Sequence, residues 1–290
     1  MEFLINQSFN AISYAALLFL LAGGFTLIFG VMNIVNIAHG TFYLFGGYIG
    51  YEVISLTGNY YVGILCAGIA VGILGLVVEP VFLRRFESAE PGNDLRQMLV
   101  TMGIVYIMQD AFLLIWGGGP YMSSVPSYLD GSIEIGPYYF SNFRIFMIVA
   151  AALIFIFLWL FQEKTIIGAK LRAAVDHDDV AASIGINVSF IRLGVFAMAA
   201  VLCGFSGVIG CSFMSIAPGI DFEILPLAFV IVILGGLGSL KGALVGSIIV
   251  AFIDNFGKAL VPELSYFTLF APLAIILAYK PSGLFGRGPS

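Results

Sequence analysis

From Phe3 to Tyr51 the chain carries no formal charge, and the pattern that begins there continues to about residue 280: long unbroken apolar runs separated by short polar breaks. Continuous runs without period-two alternation predict helices in hydrocarbon rather than strands of a barrel. A helix needs about 20 residues to cross the hydrocarbon core. On that measure spans are predicted over 10–30, 34–56, 61–83, 98–116, 144–162, 190–213, 222–240, 242–260 and 264–280. The last three are short and crowded, with Pro226, Pro262 and Pro272 inside them or near their ends, so the expected count is about 8–10. The expected fold class is all-α, a polytopic helical membrane protein in which residues 1–290 form a single transmembrane domain.

One polar cluster interrupts the first uncharged stretch. Asn33, Asn36, His39 and Gly40 fall within eight residues, where hydropathy alone places lipid. Unsatisfied polar groups in hydrocarbon cost several kcal/mol each, so these side chains need protein or water around them. The simplest explanation is a wall beside something polar that passes through. His39 either bridges a broken helix or presents a donor to a carboxylate or carbonyl beside the two asparagines.

A second interruption is glycine-rich. Gly235, Gly236 and Gly238, with Gly242 and Gly246, bound or break the seventh and eighth spans. Glycine there permits either close helix packing or a helix break. The run Gly235–Gly242 lacks the Gly-Lys-Ser/Thr ending of a phosphate loop and is not one. In the predicted topology the second and seventh spans run in opposite directions. Interrupted segments at corresponding places of two oppositely oriented halves fit an inverted repeat with broken helices.

Basic residues orient the chain. With the loop 84–97 cytoplasmic, Arg84, Arg85, Arg96, Lys164, Lys170, Arg172, Arg192, Lys241, Lys280 and Arg287 lie inside, and only Arg144 and Lys258 lie outside. The bias places the N-terminus outside and the C-terminus in the cytoplasm. Two connections are then long: an extracytoplasmic one over 117–143, holding Pro120, Pro126 and Pro137, and a cytoplasmic one over 163–189. The latter is rich in alanine and charge, and predicts a short amphipathic helix from Ala169 to Ser183 that Gly185 stops.

Composition narrows the class. The 290 residues are 60% hydrophobic and 10% charged, with mean hydropathy +1.05. Soluble domains carry roughly 25% charged residues, so a soluble fold is excluded. A net charge of −5 without a basic block gives no reason to expect nucleic acid. Cys66, Cys203 and Cys211 sit in apolar runs as small hydrophobes, with neither disulfide nor metal spacing. The first apolar run is too long for a signal-peptide core and lacks its basic flank, so it reads as a retained span.

Catalytic motifs are absent, and no catalytic or metal residue is assigned. His39 and His177 stand far apart, and neither a nucleophile elbow nor a His-Glu-x-x-His pair occurs. Among ionisable residues in spans, Asp110 is the clearest case, read as hydrogen-bonded in the interior or facing a cavity. A charge at mid-bilayer costs about 2.5–3.5 kcal/mol on insertion scales. Glu52 and Glu79 read as interfacial, Asp221 as part of an acidic outer segment, and Asp254 as the partner of Lys258 one turn on. So few buried acids speak against ion-coupled transport.

The run Gly24-Phe-Thr-Leu-Ile-Phe-Gly-Val-Met-Asn-Ile-Val-Asn-Ile-Ala-His-Gly40 resembles the signature of branched-chain amino acid ABC transporter permeases of the LivH type, with Ile37 where phenylalanine is common. Ala173-Ala174 with Ala181-Ala182-Ser-Ile-Gly185-Ile-Asn187, Leu234–Gly246 and Pro281–Gly286 match further on, in the family's order and over nearly the whole chain. The resemblance implies a permease subunit of a prokaryotic inner-membrane importer. It would be paired with a second permease subunit, two cytoplasmic ATPase subunits that hold ATP and Mg, and an extracytoplasmic solute-binding protein. No cofactor is expected on this chain. The resemblance further implies ATP-driven alternating access along a path lined by Asn33, Asn36, His39, Gly40, Gly235, Gly236 and Gly238. ATPase coupling would fall to Arg172, Ala173, Ala174, Asp176, Ala181, Ala182 and Gly185. Similar permeases serve urea or short amides, and a stand-alone secondary transporter or channel for a small polar solute would fit the polar cluster equally.

Overall fold

A computed structural model describes residues 2–32, 36–86, 93–136, 138–176, 178–280 and 282–286. Among them are eleven α-helices: α1 (Glu2–Met32), α2 (Ala38–Thr57), α3 (Tyr60–Val78), α4 (Asn93–Trp116), α5 (Asn142–Lys164), α6 (Ile166–Asp176), α7 (Asp178–Ser183), α8 (Val188–Met214), α9 (Ile220–Gly235), α10 (Leu240–Leu260) and α11 (Ser265–Tyr279). Nine correspond to the nine predicted spans, and the class is all-α. Six helices are long and apolar enough to cross a membrane. The others include α9 and α11, at 16 and 15 residues.

The connection expected as a loop over 117–143 holds a small hairpin, β1 (Ser132–Ile135) with β2 (Tyr138–Ser141), in the register Ser132 to Ser141 and Ile135 to Tyr138. Gly136 has φ +63°, and Ser-Ile-Glu-Ile alternates in the manner of a strand. Of the helix expected from Ala169 to Ser183, the described residues are helical, as α6 before position 177 and α7 after it, and 177 lies outside the described residues.

The chain forms two compact units. One comprises Met1–Thr26, Val125–Ile156 and Pro226–Ser290, the other Leu27–Ser124 and Phe157–Leu225.

In the second unit α2, α3 and α8 pack as a triple. The turn between α2 and α3 is short because Gly58 ends α2 at φ +66° and Asn59 caps α3, its carboxamide oxygen accepting from the Tyr61 and Val62 amides at 3.0 and 3.2 Å. The helices approach through glycine: a Cβ on Gly46 would stand 2.5 Å from the Gly204 Cα. Small residues at such crossings let backbones touch, which in lipid replaces the hydrophobic drive between helices. Behind α3, a π-turn (Glu79–Leu83) carries Glu79 into the interior, where it is fully buried rather than interfacial.

In the first unit, α1 meets α10 through Gln7, whose Nε2 donates to the Asn255 carbonyl at 2.6 Å. Phe19 and Phe25 make edge contacts with Phe155 and Phe229. On α10, Lys258 donates to Asp254 at 2.7 Å, the pair expected one turn apart. The α9–α10 turn uses Gly236 and Gly238 at φ +101° and +77°, and Ser239 caps α10 by accepting from the Gly242 amide at 3.0 Å. Leu284 and Phe285 then donate their amides to the Leu234 and Gly235 carbonyls, at 2.8 and 2.9 Å, which satisfies the end of α9.

Candidate functional site

The start of α2 lies in the second unit and is built on polar side chains. Asn36 accepts the Ala38 amide on Oδ1 at 3.1 Å, closing the first turn of α2. The Ile37 amide donates to Thr101 Oγ1 on α4 at 3.3 Å, and that hydroxyl donates to the Met98 carbonyl at 2.9 Å. Asn36 is fully buried, and its Nδ2 meets no partner among the described residues. A buried amide donor left open is unfavourable, and such groups in native proteins call for an explanation.

His39 follows on the first turn of α2, also fully buried. Its ring lies against α8, where Cys203 Sγ stands 3.1 Å from Nε2 and 3.4 Å from Nδ1. Gly40 lies where α2 meets the start of α9: a Cβ there would be 2.9 Å from the Asp221 carbonyl oxygen. Thr41 Oγ1 then donates to Asp221 Oδ2, and Gln109 Nε2 on α4 donates to Asp221 Oδ1, each at 2.7 Å. The carboxylate, in the first turn of α9, is almost wholly buried. Two donors and the positive end of a helix hold its charge. These contacts tie the start of α2 to α4, α8 and α9.

Three expectations are corrected here. Asp221 belongs to the interior, not to an acidic outer surface. Gln109, not Asp110, makes the interior hydrogen bond of α4, while Asp110, one position on, is exposed. Cys203 is not merely a small hydrophobe, because its sulfur meets the His39 ring. The reason is common to all three. In a helix apolar on every side, periodicity does not tell which face turns inward.

Asn36, His39 and Gly40 are thus brought together. Asn33 lies outside the described residues. Gly235, Gly236 and Gly238 belong to the other unit, where they form the α9–α10 turn.

At the far end of α2 in the same unit stands an aromatic cluster that the sequence did not announce. Tyr48 stacks on Trp116 with centroids 4.8 Å apart, and Tyr51 meets Tyr121 edge-on at 4.9 Å. Trp116 Nε1 donates to Glu52 at 3.0 Å, and the Tyr121 hydroxyl to the Trp116 carbonyl. Tyr121 also pairs through its backbone with Ile216, at 2.7 and 2.8 Å, next to Ser215 at φ +62°.

The α6–α7 segment presents a mixed surface. Ala174 and Ala181 are buried, whereas Ala182 and Gly185 are exposed; Arg172 and Ala173 are half-buried. Gly185, at φ +85°, ends α7 as the Ile186 amide returns to the Ala181 carbonyl at 3.0 Å. Arg172 stands 3.9 Å from Glu163. The Asp176 side chain lies outside the described residues. Beside these, Val180 and Ile184 are 58% and 70% exposed. No group of three metal-ligating side chains occurs among the described residues.

A family model described as "Branched-chain amino acid transport system / permease component" matches residues 7–278. The high-affinity branched-chain amino acid transport system permease protein BraD of Pseudomonas aeruginosa is 26% identical over 299 residues, covering 98% of this chain and 96% of that protein. LivH of Escherichia coli K12, of the same description, is 26% identical over 303 residues with the same coverage. The ribose import permease protein RbsC of Haemophilus influenzae is 27% identical over 213 residues, 71% of this chain and 62% of its own length. No solved structure matches the chain.

Proposed function

Since the chain belongs to the family of branched-chain amino acid transport system permease components, we propose that it is the membrane-spanning subunit of an ATP-driven importer for branched-chain or related amino acids. The family match over residues 7–278, nearly the whole chain, carries this reading. The importer stands in a prokaryotic inner membrane, with this chain's N-terminus outside and its C-terminus in the cytoplasm. A second permease subunit, two ATPase subunits holding ATP and Mg, and an external solute-binding protein complete it.

In this reading solute passes beside the start of α2 during alternating access. Asn33 and Asn36 offer amide groups to its carboxylate or carbonyl, and the open Nδ2 of Asn36 supports that role. His39, held against Cys203, keeps the start of α2 in place, and Gly40 lets α9 lie close. Gly235, Gly236 and Gly238 shape the turn that brings α9 and α10 together. The ATPase docks on the α6–α7 segment, including Arg172, Ala173, Ala174, Asp176, Ala181, Ala182 and Gly185, and the exposed Val180 and Ile184 give that surface its apolar grip.

The test is uptake by the purified complex in proteoliposomes. Leucine accumulation should require ATP inside and binding protein outside. Uptake by this chain alone without ATP would overturn the reading in favour of a stand-alone transporter. ATP-dependent uptake of urea or short amides in place of leucine would keep the mechanism and change the solute.

A further inference from the structure

Asp221 carries a charge that no described residue matches. Its carboxylate is 2% exposed and pairs with no lysine or arginine among the described residues. The surrounding helices explain why. α2 and α9 contain neither residue, and α4 and α8 contain none beyond Arg96 and Arg192, near their starts. His39 turns its ring to Cys203 instead. Thr41 and Gln109 give one hydrogen bond to each carboxylate oxygen, and both donors are neutral. A helix end supplies only about half an elementary charge. Buried charges in proteins are normally paired, and an ionised carboxylate has about four acceptor sites.

Two further polar groups nearby are unsatisfied. The Tyr48 hydroxyl is fully buried and meets no partner among the described residues. Tyr48 stands two turns beyond Thr41 on the same face of α2, and an aromatic side chain on a helix leans toward the N-terminus. The phenol is thereby within electrostatic reach of Asp221. Its ring is fixed by the stack on Trp116. Toward the start of α2 lies the open Nδ2 of Asn36. Asn36 precedes Gly40 by about one helical turn, and Gly40 lies against Asp221. An acceptor charge, an open hydroxyl and an open amide donor are thus gathered at the first turns of α2, all in the second unit.

We propose that Asp221 and the Tyr48 hydroxyl receive the ammonium group of a zwitterionic solute, while Asn36 Nδ2 donates to its carboxylate. The inference rests on the permease reading above and deepens it, by separating solutes that reading leaves open. An α-amino acid carries its ammonium and carboxylate on one carbon. With a hydrogen bond of about 2.9 Å at each end, those two groups bridge a gap of about one helical turn. Urea, a short amide or a sugar brings no cation and leaves the carboxylate unmatched. A site built around a buried polar group rejects solutes that lack its counterpart. Asp221 is closed over here, so solute reaches it in another phase of the transport cycle.

The experiment uses the whole importer in proteoliposomes, with binding protein outside and ATP inside, and counts leucine delivered per ATP hydrolysed. Asp221→Asn keeps the shape: its carbonyl oxygen accepts from Thr41, and its amide donates to Gln109 once that carboxamide turns. Removing a buried charge should leave the melting temperature at or above the parent's. Leucine per ATP should fall roughly tenfold, as for the loss of one partner of a buried charged pair. An anchor of α9 and nothing more would give the reverse, a lower melting temperature with the ratio unchanged. An unchanged ratio overturns the proposal.

A second variant, Tyr48→Phe, keeps the stack on Trp116 and removes only the hydroxyl, and the ratio should again fall severalfold. Should Asp221→Asn fail to fold, Tyr48→Phe decides, and an unchanged ratio overturns the proposal. In the unaltered importer, ATP-dependent uptake of urea or a short amide in place of leucine also overturns it, while the importer reading stands. An unaltered importer without any ATP-dependent uptake is the failure of the permease reading itself and takes this inference with it.

Discussion

Thr41 gives its hydroxyl proton to the Asp221 carboxylate at 2.7 Å, joining the start of α2 to the first turn of α9 across 180 positions of sequence. The bond matters because Asp221 is buried and Gln109 serves its other oxygen. Thr41→Val keeps the shape and removes the donor. Hydrogen bonds to charged groups contribute about 1.5–3 kcal/mol, and Thr41→Val should lower thermal stability in detergent by a free energy of that order. Thr41→Ser should stay near the parent. Melting followed by loss of the monodisperse peak on size exclusion checks both.

Gly46 and Gly194 should respond in opposite directions to the same substitution. Gly46→Ala puts a methyl 2.5 Å from the Gly204 Cα, and overpacking of this kind typically costs about 1–3 kcal/mol. Gly194, on an exposed face of α8, meets nothing within 4 Å. Gly194→Ala should stabilise by up to about 1 kcal/mol, the helix-propensity difference between the two residues. Paired melting curves would show it.

Coupling can be separated from folding on α7. Val180→Ser with Ile184→Ser should cut ATP-driven uptake roughly tenfold, equivalent to about 1.4 kcal/mol of docking free energy, with the melting curve unchanged. Ala181→Leu should instead lower the melting temperature, because Ala181 is 2% exposed. If the double variant transports at the parent rate, the ATPase does not dock on this surface.

Asn36→Ser tests the open amide. Serine retains an acceptor for the Ala38 amide and so keeps the cap, but loses the Nδ2 donor. Uptake should fall while the protein still folds and inserts. Full uptake by Asn36→Ser would take Asn36 out of the solute path.

Thiol chemistry offers a check that needs no substitution. Cys203 and Cys211 are fully buried and Cys66 is half-buried. In the folded protein a maleimide should label Cys66 first, and all three thiols only after denaturation. Mass spectrometry of intact protein counts the additions.

Which parts of this were legible beforehand follows from what each signal measures. Continuous hydropathy marks where chain meets lipid, and it located α1 through α5 and α8 through α11 to within about five residues at each end, except that α1 starts at Glu2 rather than near residue 10. Asn36, His39 and Gly40 stood out because polar side chains in such a run demand company. The identity of that company was not legible. Cys203, Thr101 and Gln109 are ordinary residues in apolar helices, and only tertiary packing decides that they face inward. Asp110 and Gln109 are adjacent, yet one position of rotation, about 100° on a helix, sends one to Asp221 and the other outward. The hairpin at 132–141 was missed for another reason. Ser-Ile-Glu-Ile-Gly-Pro carries a strand-and-turn signal, but it is short and lies within a long connection whose prolines dominate its pattern.

The bonds from Leu284 and Phe285 to the Leu234 and Gly235 carbonyls have a consequence in time. Translation delivers the α9–α10 turn some fifty residues before the amides that complete it. During that interval the final carbonyls of α9 depend on water or other transient partners. The turn therefore closes late, after α10 and α11 have left the ribosome. A nascent chain arrested between the turn and Leu284 should leave the end of α9 open to proteases that the finished protein resists.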